Sequence, residues 1–300
     1  MIFPISGVET PIWLPPAVAF GISFFTSMGG VSGAFILLPF QISFLGYTAP
    51  SVSATNHVYN IVAIPSGVYR FIKEGRMLWP LTWAVIIGTL PGVFIGTWVR
   101  IKYLPDPKNF KLFASLVLLF LGIRMIMDIL KEIYVKNNRK AVDALKGDSS
   151  VQTLTSNFLQ ASFRFQKETF TFSLPIVYIL SFIVGIAGGI YGIGGGAIIA
   201  PFFVSILGLP VYTVAGAALM GTLITSFTGV LFFQFLAGLY PDSQIAPDWY
   251  LGFLFGLGGF IGMYLGARCQ KYVSSKIIKV ILCVCILMVA FKYLINWFIS

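Results

Sequence analysis

The sequence predicts an all-α polytopic membrane protein made of two homologous halves, and three observations lead to this class. Hydrophobic residues make up 57% of the 300 residues and charged residues only 10%, whereas a soluble domain has about 25% charged residues. Residues 10–69 and 169–241 contain no Asp, Glu, Lys or Arg. Because one bilayer span needs about 20 apolar residues, each run must enter the membrane more than once. The third observation is an internal repeat of glycine and proline positions.

The repeat becomes visible when the sequence is compared with itself at a separation of 162 residues. Residues 30–34 then align with residues 192–196, and residues 39–40 align with residues 201–202. After a length difference of eight residues, two glycine ladders align, namely Gly88, Gly92, Gly96 with Gly258, Gly262, Gly266. Glycines four residues apart lie on one helix face, where two backbones can approach closely, so the ladders predict helix packing.

The repeat divides the chain into four parts. These are an extracytoplasmic lead-in (1–14), a first membrane repeat (15–131), a polar cytoplasmic connector (132–172) and a second membrane repeat (173–300). Each repeat has a glycine-interrupted segment followed by three spans. The predicted segments are 16–45, 50–70, 77–100 and 110–130, then 175–207, 211–238, 249–268 and 277–298. Within the connector, residues 151–165 are predicted to form a surface helix.

Two arrangements of the interrupted segments 16–45 and 175–207 are compatible with the sequence. If each segment crosses the membrane once, the halves run parallel and Lys and Arg divide about evenly between the two sides. If each segment turns back near its glycines, the halves are inverted and most Lys and Arg lie on the side of the connector. The positive-inside rule favours the second arrangement, which places both termini outside the cell membrane.

The composition also excludes several functions. The formal net charge of +10 comes from Lys and Arg in short loops, as is usual around membrane spans, so nucleic acid is not an expected partner. The three cysteines, Cys269, Cys283 and Cys285, show no metal-site spacing, and no metal is expected. No membrane segment contains a nucleophile with a base or a carboxylate pair, so the chain is not predicted to be an enzyme and no cofactor is expected.

The glycine-rich break of the second half, with the residues that follow it, resembles the sulfite exporter TauE/SafE family of permeases. The residues that carry the resemblance are 192–196, Pro201, 207–208 and 221–222. The first half is similar but degenerate, with Ser32 and Ala34 where the family tends to have glycine. The resemblance implies transport of small sulfur-containing anions, such as sulfite, thiosulfate or an organosulfonate, with coupling to an ion gradient.

The breaks themselves are the predicted binding site. A helix broken inside the membrane leaves backbone N–H and C=O groups without partners, so the break must face protein or a water-filled cavity. The half-helix that begins at Gly194, Gly195 and Gly196 offers free N–H groups and a positive helix end to an anion. Gly33 and Ala34 are the counterpart in the first half. The alternative is that these glycines only allow close helix crossing.

Polar side chains in the next span of each half complete the predicted site. Asn56 and Asn60 share one helix face, as do Thr222, Thr225 and Ser226 in the second half. Neutral donors of this kind can bind an anion and release it again. The alternative is that the hydroxyl groups bond to their own helix.

His57 is the only histidine and can titrate near neutral pH, so it is a candidate for both substrate binding and proton coupling. Its repeat counterpart is Leu219, and a packed hydrogen-bonding role is the alternative. Sodium is the other candidate coupling ion, and an oligomer is compatible with the sequence. The sequence therefore predicts a secondary transporter that works by alternating access. An uncoupled anion channel and a membrane scaffold or assembly factor are the alternative functions.

Overall fold

The computed structural model of the protein describes residues 1–28, 31–135, 151–165, 168–240, 244–269 and 275–299. The described chain is mostly helical, and each predicted span contains a helix. The helices are α1 (Leu14–Met28), α2 (Ala34–Ser43), α3 (Ser51–Lys73), α4 (Trp79–Lys102), α5 (Pro107–Val135), α6 (Leu174–Tyr191), α7 (Gly196–Ile206), α8 (Val211–Leu239), α9 (Trp249–Cys269) and α10 (Ser275–Ile299). Residues 1–13 form no helix, and a bridge between Ile2 and Glu9 closes their turn.

Five helices in the described part of the chain are long and apolar enough to cross a membrane. They cover residues Trp79–Lys102, Pro107–Met127, Leu174–Tyr191, Thr213–Leu239 and Trp249–Cys269. Shorter apolar helices occur at Leu14–Ser27, Ala34–Ser43 and Ile286–Phe298. The prediction of a polytopic membrane protein is therefore confirmed at this level.

Both interrupted segments are broken at their glycines, as predicted. In the second segment, α6 ends at Tyr191 and α7 begins at Gly196. Gly192 and Gly194 between them have φ angles of 80° and 74°, which L-residues with a side chain rarely adopt. In the first segment, α1 and α2 are separated by residues 29–33, and Gly30 of the repeated motif lies outside the described residues. We call residues 31–33 the first break and residues 192–195 the second break.

The glycine ladder of α9 packs against α1. A Cβ atom on Gly258 would overlap the carbonyl oxygen of Pro16, and one on Gly266 would overlap that of Phe24. The two backbones are therefore in direct contact, and α1 and α9 run in the same direction. The prediction that this ladder serves helix packing is confirmed.

The ladder of α4 packs in the same way against α6. A Cβ atom on Gly88 would lie 2.9 Å from the carbonyl oxygen of Tyr178, and one on Gly96 would overlap that of Ile186. These two helices also run in the same direction. Each ladder helix thus packs on the first broken helix of the other half, so the two halves are interlocked.

Helix α3 lies inside the bundle, between α8 and α9. It is less apolar than its neighbours and is not among the helices that are apolar enough to span a membrane. Its polar residues from Ser51 to Asn60 are all buried. Surrounding protein, rather than lipid, therefore accommodates the polar face of α3.

One end of the bundle is organised around Asp248, and we call it the Asp248 end. The Asp248 carboxylate accepts hydrogen bonds from the N–H and hydroxyl of Ser6, at 3.1 and 2.8 Å, and from the N–H of Leu251 at 3.0 Å. The backbone N–H of Asp248 donates to Thr55 Oγ1 at 2.9 Å. The N-terminal segment and the first turns of α3 and α9 therefore meet at this end.

The opposite end, which we call the Glu74 end, joins α3 to α4 and carries the connector. The connector contains three strands, β1 (Gln152–Ser156), β2 (Gln160–Phe165) and β3 (Glu168–Ser173), which form one antiparallel sheet in the order β1-β2-β3. The N–H of Val151 donates to the carbonyl of Gly75 at 2.9 Å, which attaches the sheet to the α3–α4 loop.

The predicted surface helix over residues 151–165 is therefore wrong, and the connector makes the fold not strictly all-α. The burial pattern gives the physical reason. Ala161, Phe163 and Phe165 are buried while the residues between them are more exposed. This alternation has the period of a strand rather than that of a helix.

Candidate functional site

The candidate site lies where α3 passes the two breaks. Asn56 and Asn60 are one helical turn apart on α3, and both side chains are fully buried. A buried amide is costly unless its polar atoms are hydrogen-bonded, so the partners of these two side chains define the site.

Asn56 connects the two breaks directly. Its Nδ2 donates to the carbonyl oxygen of Ala34 at 3.1 Å and to that of Gly192 at 3.0 Å. Its Oδ1 accepts a hydrogen bond from Gln41 Nε2 at 3.3 Å. One side chain therefore satisfies a carbonyl at the start of α2 and another in the second break.

Asn60 makes a second connection one turn further along α3. Its Oδ1 accepts a hydrogen bond from the hydroxyl of Ser32 at 2.7 Å. Its Nδ2 donates to the carbonyl oxygen of Ile193 at 3.1 Å and to the hydroxyl of Ser226 at 3.1 Å. The two asparagines together hold the first break, the second break and α8 in one network.

The predicted hydroxyl residues of α8 surround the second break, but two of them bond to their own helix. Thr222 Oγ1 donates to the carbonyl of Ala218 at 2.9 Å, and Thr225 Oγ1 donates to that of Gly221 at 2.6 Å. A Cβ atom on Gly194 would lie 2.9 to 3.1 Å from side-chain atoms of Thr222, Thr225 and Ser226. The second break is therefore packed closely against α8.

His57 joins the same network on the other side of Ser226. Its Nδ1 lies 3.2 Å from Ser226 Oγ, and its ring centroid is 6.2 Å from that of Phe233. The ring is fully buried, and no described residue is a hydrogen-bond partner of its Nε2. The imidazole is thus linked to Asn60 through one hydroxyl group.

Two half-helices begin inside this network. The N-cap residues of α2 and α7 are Gly33 and Gly195, and neither has a side chain that could cap the helix. The first N–H groups of a helix have no intrahelical partner. A Cβ atom on Gly196 would overlap the carbonyl of Ala218, and one on Gly195 would lie 2.6 Å from Thr89 Cγ2. Close packing by α8 and α4 therefore requires glycine here.

The structure brings all the sequence-predicted site residues to this one region, and it adds partners that the sequence reasoning missed. Ser32 and Gln41 bond to the two asparagines, and Tyr191 donates from its hydroxyl to the carbonyl of Phe35 at 3.1 Å. Gln41 could have been noticed, because it is the only amide in α2, whose other residues except Ser43 are apolar. Tyr191 gave no such signal, since tyrosine is common in membrane helices.

Charged pairs occur away from this network. Glu74 forms ion pairs with Arg70, at 2.6 Å, and with Arg76. Partial burial raises the pKa of Glu74, but the hydrogen bond from Arg70 and the charges of both arginines outweigh it and lower the pKa below its usual value. These charges mark the Glu74 end rather than the breaks.

Apolar helices around two broken ones, with buried neutral amides between the breaks, are typical of a polytopic membrane transporter. The chain belongs to the sulfite exporter TauE/SafE family, which it matches over residues 16–293. It is also similar to the "Probable membrane transporter protein YunE" of Bacillus subtilis (strain 168). The two are 18% identical over 268 residues, which cover 85% of this chain and 89% of that protein. No solved structure matches the chain.

Proposed function

We propose that this protein is a permease for small sulfur-containing oxyanions, of the class of sulfite, thiosulfate or an organosulfonate, and that it works as a secondary transporter by alternating access. The observation that carries the proposal is the pair of helix breaks bridged by Asn56 and Asn60 at the centre of an apolar bundle. Family membership supports the substrate class.

In this proposal the anion binds to backbone N–H groups at the breaks. Gly33 and Ala34 provide them in the first half, and Gly194, Gly195 and Gly196 in the second. The start of each half-helix carries about half a positive charge, which favours an anion without a lysine or arginine in the break.

The side chains of α3 and α8 position these N–H groups and contribute further polar atoms. The amide hydrogens of Asn56 and Asn60 are directed to backbone carbonyls of the breaks. When the breaks move apart during transport, these donors become available to the anion, together with the hydroxyls of Thr222, Thr225 and Ser226. Neutral donors favour release as well as binding.

We further propose that the two halves are inverted in the membrane, with the domain boundaries given above. Supporting contacts are those that place Ser6 and Thr55 at the same end, beside Asp248. Because α1 starts after Ser6 and α3 starts just before Thr55, the first interrupted segment makes no net crossing. In the second half, a Cβ atom on Gly216 of α8 would lie 3.4 Å from Met77, just before α4. The starts of α4, α6 and α8 then share the Glu74 end.

This topology places the connector in the cytoplasm and both termini outside. Single cysteines at Glu9 and Phe158, both exposed positions at opposite ends, should label from opposite sides of the membrane in a background without Cys269, Cys283 and Cys285. Labelling of both positions from the same side would contradict the inverted arrangement.

His57 is the proposed coupling residue, because it is the buried titratable group connected to the network through Ser226. Protonation from one side would add a charge beside the break and favour anion binding there. Sodium coupling is the alternative, in which His57 only packs.

Transport in proteoliposomes tests the function. Sulfite, thiosulfate, a short sulfonate, sulfate and a carboxylate are compared with an amine as a cation control. We expect saturable uptake of at least one sulfur oxyanion, accelerated by a pH gradient. Flux that does not saturate would favour the channel, and no flux of any anion would favour the scaffold. Saturable flux of the amine alone would contradict the proposal.

A further inference from the structure

A buried cation lies next to the second break, in the last turn of α4. The side chain of Arg100 is fully buried, although its place beside a loop would have suggested exposure. Its Nε donates to the hydroxyl of Ser53 at 3.3 Å, and its Nη1 donates to the carbonyl of Leu104. Its guanidinium carbon lies 3.7 Å from the ring centroid of Phe110.

One donor atom of the Arg100 side chain is not used by the described residues. Its Nη2 is buried and has no hydrogen-bond partner among the residues that the structure describes. The serine, the carbonyl and the aromatic ring hold the rest of the guanidinium in place, so Nη2 is presented in a fixed direction. The N–H groups of Nη2 can donate to the oxygens of an oxyanion, and the charge of the guanidinium adds to the attraction.

Arg100 also lacks a counter-charge in the described part of the chain. The ion pairs at Glu74 lie at the other end of the bundle. At its own end, Asp248 is bonded to Ser6 and Leu251, and the exposed Asp106 accepts from the N–H of Lys108. A buried charge without a partner is costly, so an arrangement of this kind is typical of a site that an anion completes.

A short path connects Arg100 to the second break. The hydroxyl of Ser53, which accepts from Arg100, donates to the carbonyl of Ile190 at 3.2 Å. The backbone of Ser53 contacts Gly192 so closely that a Cβ atom there would overlap the Ser53 carbonyl. Only one serine therefore separates the guanidinium from the break.

The second half has no arginine at the corresponding place. In the register that aligns Gly96 with Gly266, Arg100 corresponds to Gln270, which lies outside the described residues. The repeat therefore does not place a second arginine at the counterpart position.

We propose that Arg100 is an anion-binding residue that receives the substrate oxyanion at the Asp248 end and passes it to the second break. This inference rests on the proposed function and adds a second site to it. The breaks hold the anion with neutral donors, and Arg100 attracts it to them from one side of the membrane.

Binding to the purified full-length protein tests the inference. Thiosulfate and methanesulfonate are titrated by calorimetry against wild type, Arg100→Met and Arg100→Lys. Losing a hydrogen bond to a charged group corresponds to about 10- to 100-fold in Kd, which we expect for Arg100→Met. Arg100→Lys should lie between, because an ammonium keeps the charge but lacks the planar guanidinium that the serine, the carbonyl and the ring hold in place.

Lys102→Met is the matched control, since Lys102 is an exposed cation in the same helical turn. Its charge is screened by solvent, so its Kd should stay within about twofold of wild type. Both anions should raise the Tm of wild type and Lys102→Met more than that of Arg100→Lys. If Arg100→Met does not fold, the inference is tested with Arg100→Lys, whose Kd should be higher and whose anion-dependent rise in Tm should be smaller than those of wild type.

Two outcomes separate this inference from the proposed function. If wild type binds and transports a sulfur oxyanion and the Arg100 variants bind it with unchanged Kd, Arg100 is only structural and this inference is overturned, while the proposed function stands. If wild type neither binds nor transports any sulfur oxyanion, the proposed function fails, and the inference fails with it.

Discussion

Helices α3 and α8 occupy equivalent places in the two halves, yet they bring different chemistry to the breaks. Three positions of α3 carry amide or imidazole groups, and the repeat aligns them with less polar residues of α8. The pairs are Asn56 with Ala218, His57 with Leu219, and Asn60 with Thr222. As a result α8 is apolar enough to span a membrane and α3 is not. The two halves share one architecture, but at these positions the amide and imidazole groups lie in α3 and their counterparts in α8 are less polar.

The breaks differ in a complementary way. The second break uses the left-handed backbone of Gly192 and Gly194, whereas Gly33 at the end of the first break has an ordinary φ of −69°. Asn60 bonds to both breaks, and Asn56 bonds to the second break and to the start of α2, so one set of side chains serves two helix interruptions. Within the described residues of the two breaks, the first half therefore supplies the side chains, and the left-handed glycines are those of the second break.

The largest effect is expected from substituting the glycines of the two breaks. Gly192→Ala places a side chain on a left-handed residue and against the backbone of Ser53. We expect it to lower the free energy of unfolding by about 2–5 kcal/mol and to abolish transport. In Gly33→Ala the new Cβ meets the hydroxyl of Tyr59 at 2.7 Å, and a side chain can shift. Its cost should be about 1 kcal/mol.

Thermal melting in detergent and uptake in proteoliposomes measure both glycine variants. Equal destabilisation by Gly192→Ala and Gly33→Ala would contradict the assignment of the strained backbone to the second break.

The next effect concerns the asparagines. Asn56→Ala leaves the carbonyls of Ala34 and Gly192 without this donor. The free energy of unfolding should fall by about 1–3 kcal/mol per unsatisfied carbonyl, and substrate binding should weaken about 10- to 100-fold. From the sequence alone, binding would fall with little change in stability. The structure instead predicts that both fall together, because Asn56 holds the breaks.

Thr222→Val is the matched control in α8. Its hydroxyl bonds to its own helix, so stability should change by less than about 1 kcal/mol. Melting temperatures and substrate Kd values distinguish the two helices. A Thr222→Val variant as damaged as Asn56→Ala would show that α3 and α8 are equally important.

A smaller effect, on coupling alone, is expected at His57. Gln at this position can keep a hydrogen bond to Ser226, so binding should persist, while uptake should no longer respond to a pH gradient. Uptake with and without the gradient measures this, with Leu219→Ala, at the counterpart position, as the comparison. A pH response that survives in His57→Gln would exclude this histidine as the proton carrier.

The smallest effect is expected at the charged end. The pKa of Glu74 is lowered in the folded protein, so its contribution to stability is present above its unfolded pKa and is lost as pH falls through the folded pKa. The pair is partly exposed, and Glu74→Gln should cost about 1 kcal/mol or less at pH 7 and still less in acid. Melting temperatures at pH 7 and pH 4 compare this variant with wild type. A larger loss in acid than at pH 7 would contradict the ion-pair assignment.

Much of the architecture could be predicted because its signals are local. Hydropathy gave the spans, and the glycine repeat gave the breaks and the ladders that pack α1 on α9 and α4 on α6. The connector sheet could also have been predicted from the alternation at Ala161, Phe163 and Phe165. The burial of Arg100 could not have been predicted, because the sequence around it indicates the end of a helix followed by a loop, where a cation is usually exposed.

By itself, the sequence determined that this protein enters the membrane repeatedly, that it is duplicated, and that each half is interrupted at glycine. Those properties follow from composition and periodicity along one segment of chain. Only the tertiary structure decided which groups satisfy the broken helices. The carbonyls that Asn56 and Asn60 hold in the second break lie 136 and 133 residues away in the chain. No pattern within a segment specifies such a partner, because hydrogen bonds depend on distance and angle in space, which packing of the helices fixes.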